Sequence, residues 1–461
     1  MNTATAFHTP EALAAKGSRL AWVEADQRMS YSDLAEQIAK LTKAWRPLPN
    51  SRILLNGDSQ GAQLCGLLAI APTTHVAIPA APFSSASDLK QAARQAYATH
   101  LWCSSRLPSL STTLTVSADT PESPHPLFAK LTLCQRAGLV LFTSGTTGRS
   151  KTILHDLPKL LYSQQPVKQG RARRILLLMH LDHIGGLDIA VKALANCSTI
   201  YVPPSRNPET VGRWISEHAI EVLPATPTFL RLALLNGMFS RFDCHSLRII
   251  TYGAEKMPPQ LLSALKRELP TVQLRATFGT TETGTVRLHS NDNDNGRLYA
   301  EQDNQGLRVI DGELWIKTPA TLVGYLDEHQ PRIDAEGWLA TGDRAEVAED
   351  GGIHITGRNT KLVSIGGEKV DLLEVENALL EVEGVFAAWV TADEHPLTGH
   401  TLNARIAVAP DADNLSLQEW KQRMRRTLMA KLPRWKIPTK LTIESQGKAD
   451  SGPRLKGEYK R

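Results

Sequence analysis

No stretch of this sequence is apolar for anything near the roughly 20 residues that cross a bilayer. Its longest apolar runs, such as residues 175–179, are a few residues long. Cysteine is scarce: Cys65, Cys103, Cys134, Cys197 and Cys244 are odd in number, widely spread and never in a C-x-x-C pair. That argues against a disulfide scaffold or a zinc site and fits reduced core thiols in a cytoplasmic protein. The opening MNTATAFHTPEALAAKG lacks the basic patch and apolar segment of a signal peptide. Charge of one sign is also missing. The balance of 52 Lys+Arg against 47 Asp+Glu leaves +5, too weak without a basic motif to indicate a nucleic-acid binder. No internal repeat or low-complexity linker is present.

What is there is ordinary globular material: 461 residues, 42% apolar, 21% charged, with 31 Gly and 27 Pro. At about 150 residues per domain, that length suggests two or three packed units. Between about residues 130 and 290, short apolar runs alternate with helical patterns. Runs at 139–142, 175–179, 199–202 and 247–251 read as strands; 211–218 and 259–269 read as helices. This is the signature of a mostly parallel α/β sheet covered on both faces, with ligands at the loops after the strand C-termini.

From about 305 to 357 the texture changes. Runs at 307–310, 313–316 and 353–356 are separated by Asp-Gly and Gly-Gly turns, the pattern of an antiparallel subdomain. The last hundred residues read as a small α+β unit, with helices at 370–380 and 417–432 and strands at 385–390 and 403–408. The expected division is therefore a large N-terminal domain, 1–357, and a small C-terminal domain, 358–461.

The most informative stretch follows the 139–142 run. Thr143, Ser144, Gly145, Thr146, Thr147 and Gly148 are six consecutive small residues, with Lys151 close behind. Such a loop offers backbone N–H groups, hydroxyls and a cation without bulk, which suits a polyphosphate. It is not a Walker A loop, because Ser150 stands where the lysine spacing requires Gly.

The order of residues in Thr143-Ser-Gly-Thr-Thr-Gly-Arg-Ser-Lys151 resembles the phosphate loop of the adenylate-forming (acyl-CoA ligase, AMP-binding) superfamily. Further stretches match in the same order. Thr251-Tyr-Gly-Ala-Glu255 resembles the family's turn lining the adenine and acyl pockets, and Ala276-Thr-Phe-Gly-Thr-Thr-Glu282 its aromatic-Gly-x-Thr-Glu motif. Trp338-Leu-Ala-Thr-Gly-Asp343 and Gly357-Arg358 resemble the next two signatures. The resemblance implies ATP/AMP contacts at Gly253, Ala254, Glu255, Phe278, Gly279, Thr280, Asp343 and Arg358, an α-phosphate contact at Thr281, and Mg²⁺ at Glu282. The residue types suit those roles: hard cations take oxygen ligands, and an ionised aspartate accepts from a ribose diol.

His183, in His180-Leu-Asp-His-Ile-Gly-Gly186, matches the family's histidine beside the acyl pocket, with His180 a competitor one turn away. His183, Leu187, Thr226, Gly253, Ala254 and Thr280 are expected near the acid by the same resemblance. Two positions depart from the pattern. Thr360 replaces the usual charged hinge residue, with Lys361 beside it. The adenylation cation has three candidates: Lys448 matches the Gly-Lys dipeptide, spacing from Lys436-Ile-Pro438 favours Lys456, and Arg454 between them could also serve.

Ser364-Ile-Gly-Gly-Glu-Lys-Val370 resembles the acyl-CoA ligase form of its segment. The expected activity is thus ATP- and Mg²⁺-dependent activation of a carboxylic acid as acyl-AMP, followed by transfer to coenzyme A. A carrier-protein phosphopantetheine, another small nucleophile, or nucleotide binding without turnover are the alternatives. Eight basic residues and no acid between 421 and 440 read either as a solvated helix face or as a surface for those phosphates.

Overall fold

The computed structural model describes residues 7–57, 59–81, 84–104, 113–115, 124–143, 151–163, 170–255, 257–286, 288–289, 297–300, 306–358, 362–365, 368–408 and 415–444. The short apolar runs form strands, and they build mostly parallel α/β sheets as expected, two of them. In the first, strands Gln273–Ala276, Ile249–Tyr252, Val222–Ala225, Arg174–Leu176, Thr199–Val202 and Leu20–Glu24 lie parallel, with antiparallel Gln27–Ser30 at the edge. In the second, His100–Ser104, Arg52–Gly57, Val76–Pro79 and Gly138–Thr143 are parallel, and Thr113–Thr115, Lys151–Asp156 and Gly324–Tyr325 pair antiparallel.

The largest core explains why the sheets hold together. It takes Trp22 and Ile200 from the first sheet, Ile53, Leu55, Leu139 and Leu141 from the second, and Leu34, Leu64 and Leu187 from helices between them. Helix Gln60–Ile70 is buried along its whole length, so apolar residues surround it with no polar stripe.

Strands Gly306–Ile310, Glu313–Lys317, Leu339–Val347 and Ile353–Arg358 form the expected antiparallel sheet, extended by Leu288–His289 and Arg297–Ala300. Toward the C-terminus, a separate core gathers Val370, Val375, Leu379, Ile406, Trp420 and Leu428 around strands Val385–His395, Gly399–Val408 and Lys440–Glu444. The expected helix from 370 is shorter: Glu368–Asp371 is a strand paired with Leu362–Ile365, and the helix is Leu372–Leu380. Helix Leu417–Met429 likewise stops short of Leu432.

This C-terminal core meets the rest at named contacts. Arg231 donates to the Leu380 carbonyl at 2.9 Å, Leu232 packs against Ala387 and Ala407, and Arg344 pairs with Asp371 at 2.6 Å. No described helix is long and apolar enough to cross a membrane. All five thiols are free, but Cys134 is exposed rather than in the core.

Candidate functional site

The first sheet's parallel strands deliver the expected residues to one edge. Tyr252 ends its strand before Gly253, Ala225 ends its strand before Thr226, and Ala276 ends its strand before Phe278. Past Arg174–Leu176 the chain runs on to His180 and His183. This is the edge at which parallel α/β sheets bind ligands.

Close approach explains the glycines here. A Cβ on Gly253 would lie 2.4 Å from Thr277 Oγ1, and one on Gly279 would lie 2.5 Å from the Gly284 carbonyl. Thr277 N–H and its hydroxyl both donate to the Tyr252 carbonyl, at 2.7 and 3.1 Å, drawing the two strand ends together. Ala254 then takes φ 67°, a left-handed backbone uncommon outside glycine. The Glu255 carboxylate turns aside to accept from Thr228 N–H and hydroxyl, at 3.1 and 2.6 Å. Thr226 caps helix Pro227–Leu235 through Phe229 N–H. Leu187 is fully buried in the large core.

Phe278–Thr280 and Gly284–Val286 form a hairpin whose tip carries Thr281 and Glu282. The tip is held from within by the Thr280 and Thr283 hydroxyls, 3.1 Å apart, and from outside by residues 318–322. Thr318 donates its hydroxyl to the Thr283 carbonyl at 2.8 Å, and Leu322 N–H donates to the Glu282 carbonyl at 2.8 Å. Glu282 Oε1 accepts from the Tyr325 hydroxyl at 2.9 Å. Burial, with the neighbouring Glu282 charge, pushes the Tyr325 phenol above its usual value.

Thr143 and Lys151 face each other at the connected end of a hairpin in the second sheet. The Lys151 ammonium lies over the Tyr325 ring, 5.0 Å from its centre. A cation from one sheet and a carboxylate beside the other therefore converge on one tyrosine. Ser144, Gly145, Thr146, Thr147 and Gly148 lie outside the described residues, as do Thr360, Lys361, Lys448, Arg454 and Lys456.

Asp343 is only 4% exposed. Its Oδ1 accepts from Arg358 Nε at 2.6 Å, while Oδ2 is buried without a donor among the described residues. Its backbone is fixed by the sequence around it. Asp343 N–H donates to the Thr341 hydroxyl at 3.0 Å, and that hydroxyl donates to the Leu314 carbonyl at 2.9 Å. Gly342 N–H donates to Glu313, which a two-pronged Arg332 contact holds at 2.9 Å. A buried carboxylate oxygen without a donor is an acceptor that a vicinal diol would complete.

His183 is the N-cap of helix Ile184–Ala195 but makes no side-chain capping bond, and its Nε2 lies 3.9 Å from Asp182. That helix packs against Gly284–Val286, which links the His183 loop to the Glu282 hairpin. His155 and Tyr325 carried no sequence signal. His155 is fully buried; burial lowers its pKa, opposed by the backbones of Thr281 and Ala320 and the Glu282 charge.

The donor chemistry fits Mg²⁺. Glu282 offers a carboxylate oxygen of the kind that a hard cation takes. The basic stretch at 421–440 is partly neutralised: Arg423, Lys431 and Lys436 pair with Glu383, Glu381 and Glu374.

The family model for AMP-binding enzymes matches residues 6–326, more than half of the chain. Among curated relatives, a 3-[(3aS,4S,7aS)-7a-methyl-1,5-dioxo-octahydro-1H-inden-4-yl]propanoyl:CoA ligase of Mycobacterium tuberculosis (strain ATCC 25618 / H37Rv) is 31% identical over 59% of this chain and 56% of its own. Phenyloxazoline synthase MbtB of Mycobacterium sp. (strain MCS) is 27% identical over 91% of this chain and 38% of its own. The chain thus spans about half or less of the length of these relatives. Among solved structures, the anthranilate CoA ligase AuaEII in complex with anthranoyl-AMP has a TM-score of 0.77 at 18% identity, covering 94% of this chain and 92% of that one. Amide bond synthetase McbA from Marinactinospora thermotolerans has a TM-score of 0.72 at 20% identity, covering 94% of this chain and 95% of that one. These neighbours share the fold.

Proposed function

Because the chain belongs to the AMP-binding enzyme family, whose members are adenylate-forming enzymes, we propose that it activates a carboxylic acid as its acyl-adenylate and passes the acyl group to coenzyme A. The observation that carries this reading is the buried Asp343 carboxylate, one oxygen tied to Arg358 and the other buried without a donor among the described residues, an acceptor that a ribose diol would complete.

The acid enters at the edge formed by Gly253, Ala254, Thr226, Thr280 and His183. ATP lies with its ribose on Asp343 and Arg358, its base against Phe278 and Gly279, and its β- and γ-phosphates in the loop 143–151. A carboxylate oxygen attacks the α-phosphorus, the bond to the β-phosphate oxygen breaks, and pyrophosphate leaves. Thr281 donates to the α-phosphate, and Lys151 balances charge on the leaving phosphates. Mg²⁺, held by Glu282 and phosphate oxygens, would offset negative charge as it develops at phosphorus. A tail lysine, Lys456 in preference to Lys448, adds a compact cation against the same developing charge.

In the second step the thiol attacks the acyl carbonyl and AMP leaves with the bridging oxygen. The C-terminal unit, 358–461, turns about the junction near Thr360 between the two steps; backbone freedom, not a charge, is what such a hinge requires. The CoA ligases among the relatives and the Ser364–Val370 segment support coenzyme A as acceptor.

The test is a panel of carboxylic acids with MgATP, trapped first with hydroxylamine and then offered coenzyme A. Acid-dependent hydroxamate and a CoA thioester support the reading. Hydroxamate without thioester would replace coenzyme A by a carrier-protein arm or an amine. No hydroxamate with any acid would leave nucleotide binding without turnover.

A further inference from the structure

We propose that Tyr325 is a positioning residue of this site: its hydroxyl sets which oxygen of Glu282 is left for the cation, and its ring seats the Lys151 ammonium. The inference rests on the reading above and adds a residue that lies outside every motif in the sequence.

Tyr325 stands on the short edge strand Gly324–Tyr325, paired antiparallel with Lys151–Asp156 so that it faces Ile153. The residue is 8% exposed, and its neighbours are fixed on both sides. Leu322 N–H reaches the Glu282 carbonyl, and Thr152 N–H reaches the Asp327 carboxylate, each at 2.8 Å. This stitches the segment around Tyr325 to the Glu282 hairpin and to the Lys151 strand together.

The sense of the hydrogen bond is set by chemistry. A phenol has one proton to give, and an ionised carboxylate only accepts. The 2.9 Å contact to Oε1 therefore occupies one Glu282 oxygen and leaves the second to meet a cation singly. A carboxylate with one oxygen anchored cannot rotate to take the metal through both, so the ion keeps places for phosphate oxygens. On the ring face, Lys151 Nζ at 5.0 Å lies within the range of cation–π attraction. One side chain thus orients a carboxylate and a cation that arrive from different sheets.

Tyr325→Phe removes only the hydroxyl; Tyr325→Leu removes the ring as well. ATP binding to the purified full chain is titrated calorimetrically over a range of Mg²⁺ concentrations and in chelator, beside melting curves without nucleotide. Tyr325→Phe should melt like wild type and bind ATP normally in chelator, yet need roughly tenfold more Mg²⁺ for half of the metal-dependent tightening. Tyr325→Leu should in addition bind ATP more weakly in chelator, because Lys151 loses its seat. A wild-type Mg²⁺ dependence in Tyr325→Phe overturns the inference. So does a loss that is equal with and without Mg²⁺ and tracks a lower melting temperature, which marks a structural residue. Wild-type protein that fails to bind ATP under every condition removes the underlying reading, and this inference with it.

Discussion

Asp343 and Arg358 face each other across adjacent antiparallel strands, and Arg358 Nε–H donates to Asp343 Oδ1 at 2.6 Å. The arginine side chain is 46% exposed and the aspartate 5%, so the carboxylate is the buried member of the pair. The contact leaves Oδ2 buried without a donor among the described residues, the oxygen that the proposed reading gives to the ribose. Asp343→Ala should therefore weaken ATP binding while leaving turnover at saturating ATP close to wild type, since ribose contacts are uniform between ground and transition states. Unchanged ATP affinity with a lower kcat would contradict the ribose assignment.

Glu282 separates its two jobs cleanly. Its carbonyl is tied to Leu322 through the backbone, whereas its carboxylate reaches only toward Tyr325 and the site. Glu282→Ala should then keep its melting temperature and lose most acid-dependent ATP–pyrophosphate exchange. Near-normal exchange at ordinary Mg²⁺ would take Glu282 out of the site.

The tail calls for three variants side by side. Lys456→Ala should cut acyl-AMP formation by roughly 10²–10³-fold, as when one preorganised electrostatic donor is lost. Given presynthesised acyl-AMP and coenzyme A, it should still form thioester. Lys448→Ala and Arg454→Ala should be mild in both assays. A selective adenylation defect in Lys448→Ala moves the role to that residue, and three normal variants remove tail residues from the step.

His75 supplies a pH test away from the site. It is 2% exposed, accepts from Ser51 N–H at Nδ1 and donates from Nε2 to the Trp45 carbonyl, at 3.1 and 3.0 Å. Protonation would break the first bond, and burial lowers its pKa from the ordinary 6.5. The unfolded chain binds this proton first as pH falls, so the stabilisation is present above about 6.5 and lost below it. The stability gap between wild type and His75→Gln, read by urea unfolding, should narrow from pH 8 to pH 5, taken as about the range of histidine titration. A gap that widens in acid would contradict a neutral His75.

Legibility in the sequence followed how local each signal was. The Thr143–Lys151, Gly253, Glu282, Asp343 and Arg358 positions stand in short patterned stretches; Thr143, Lys151, Gly253, Glu282 and Arg358 lie at strand ends or turns, and Asp343 lies within strand Leu339–Val347. Tyr325 and His155 were invisible because only tertiary packing brings Gly324-Tyr325 and Leu154-His155 to the Glu282 hairpin. The 370–380 run reads as one helix because apolar Val370 continues its pattern, yet pairing with Val363 takes Val370 into a strand. The basic 421–440 stretch looked unopposed because its acids, Glu374, Glu381 and Glu383, come from an earlier helix and turn.

The most direct test of the account follows one oxygen atom. A carboxylic acid that supports hydroxamate formation is labelled with ¹⁸O in its carboxyl group and turned over with MgATP and coenzyme A. Attack of that carboxylate on the α-phosphorus, then cleavage of the acyl–oxygen bond by the thiol, predicts AMP carrying a single ¹⁸O and unlabelled pyrophosphate. Label in inorganic phosphate accompanied by ADP, or AMP without label, would contradict the acyl-adenylate.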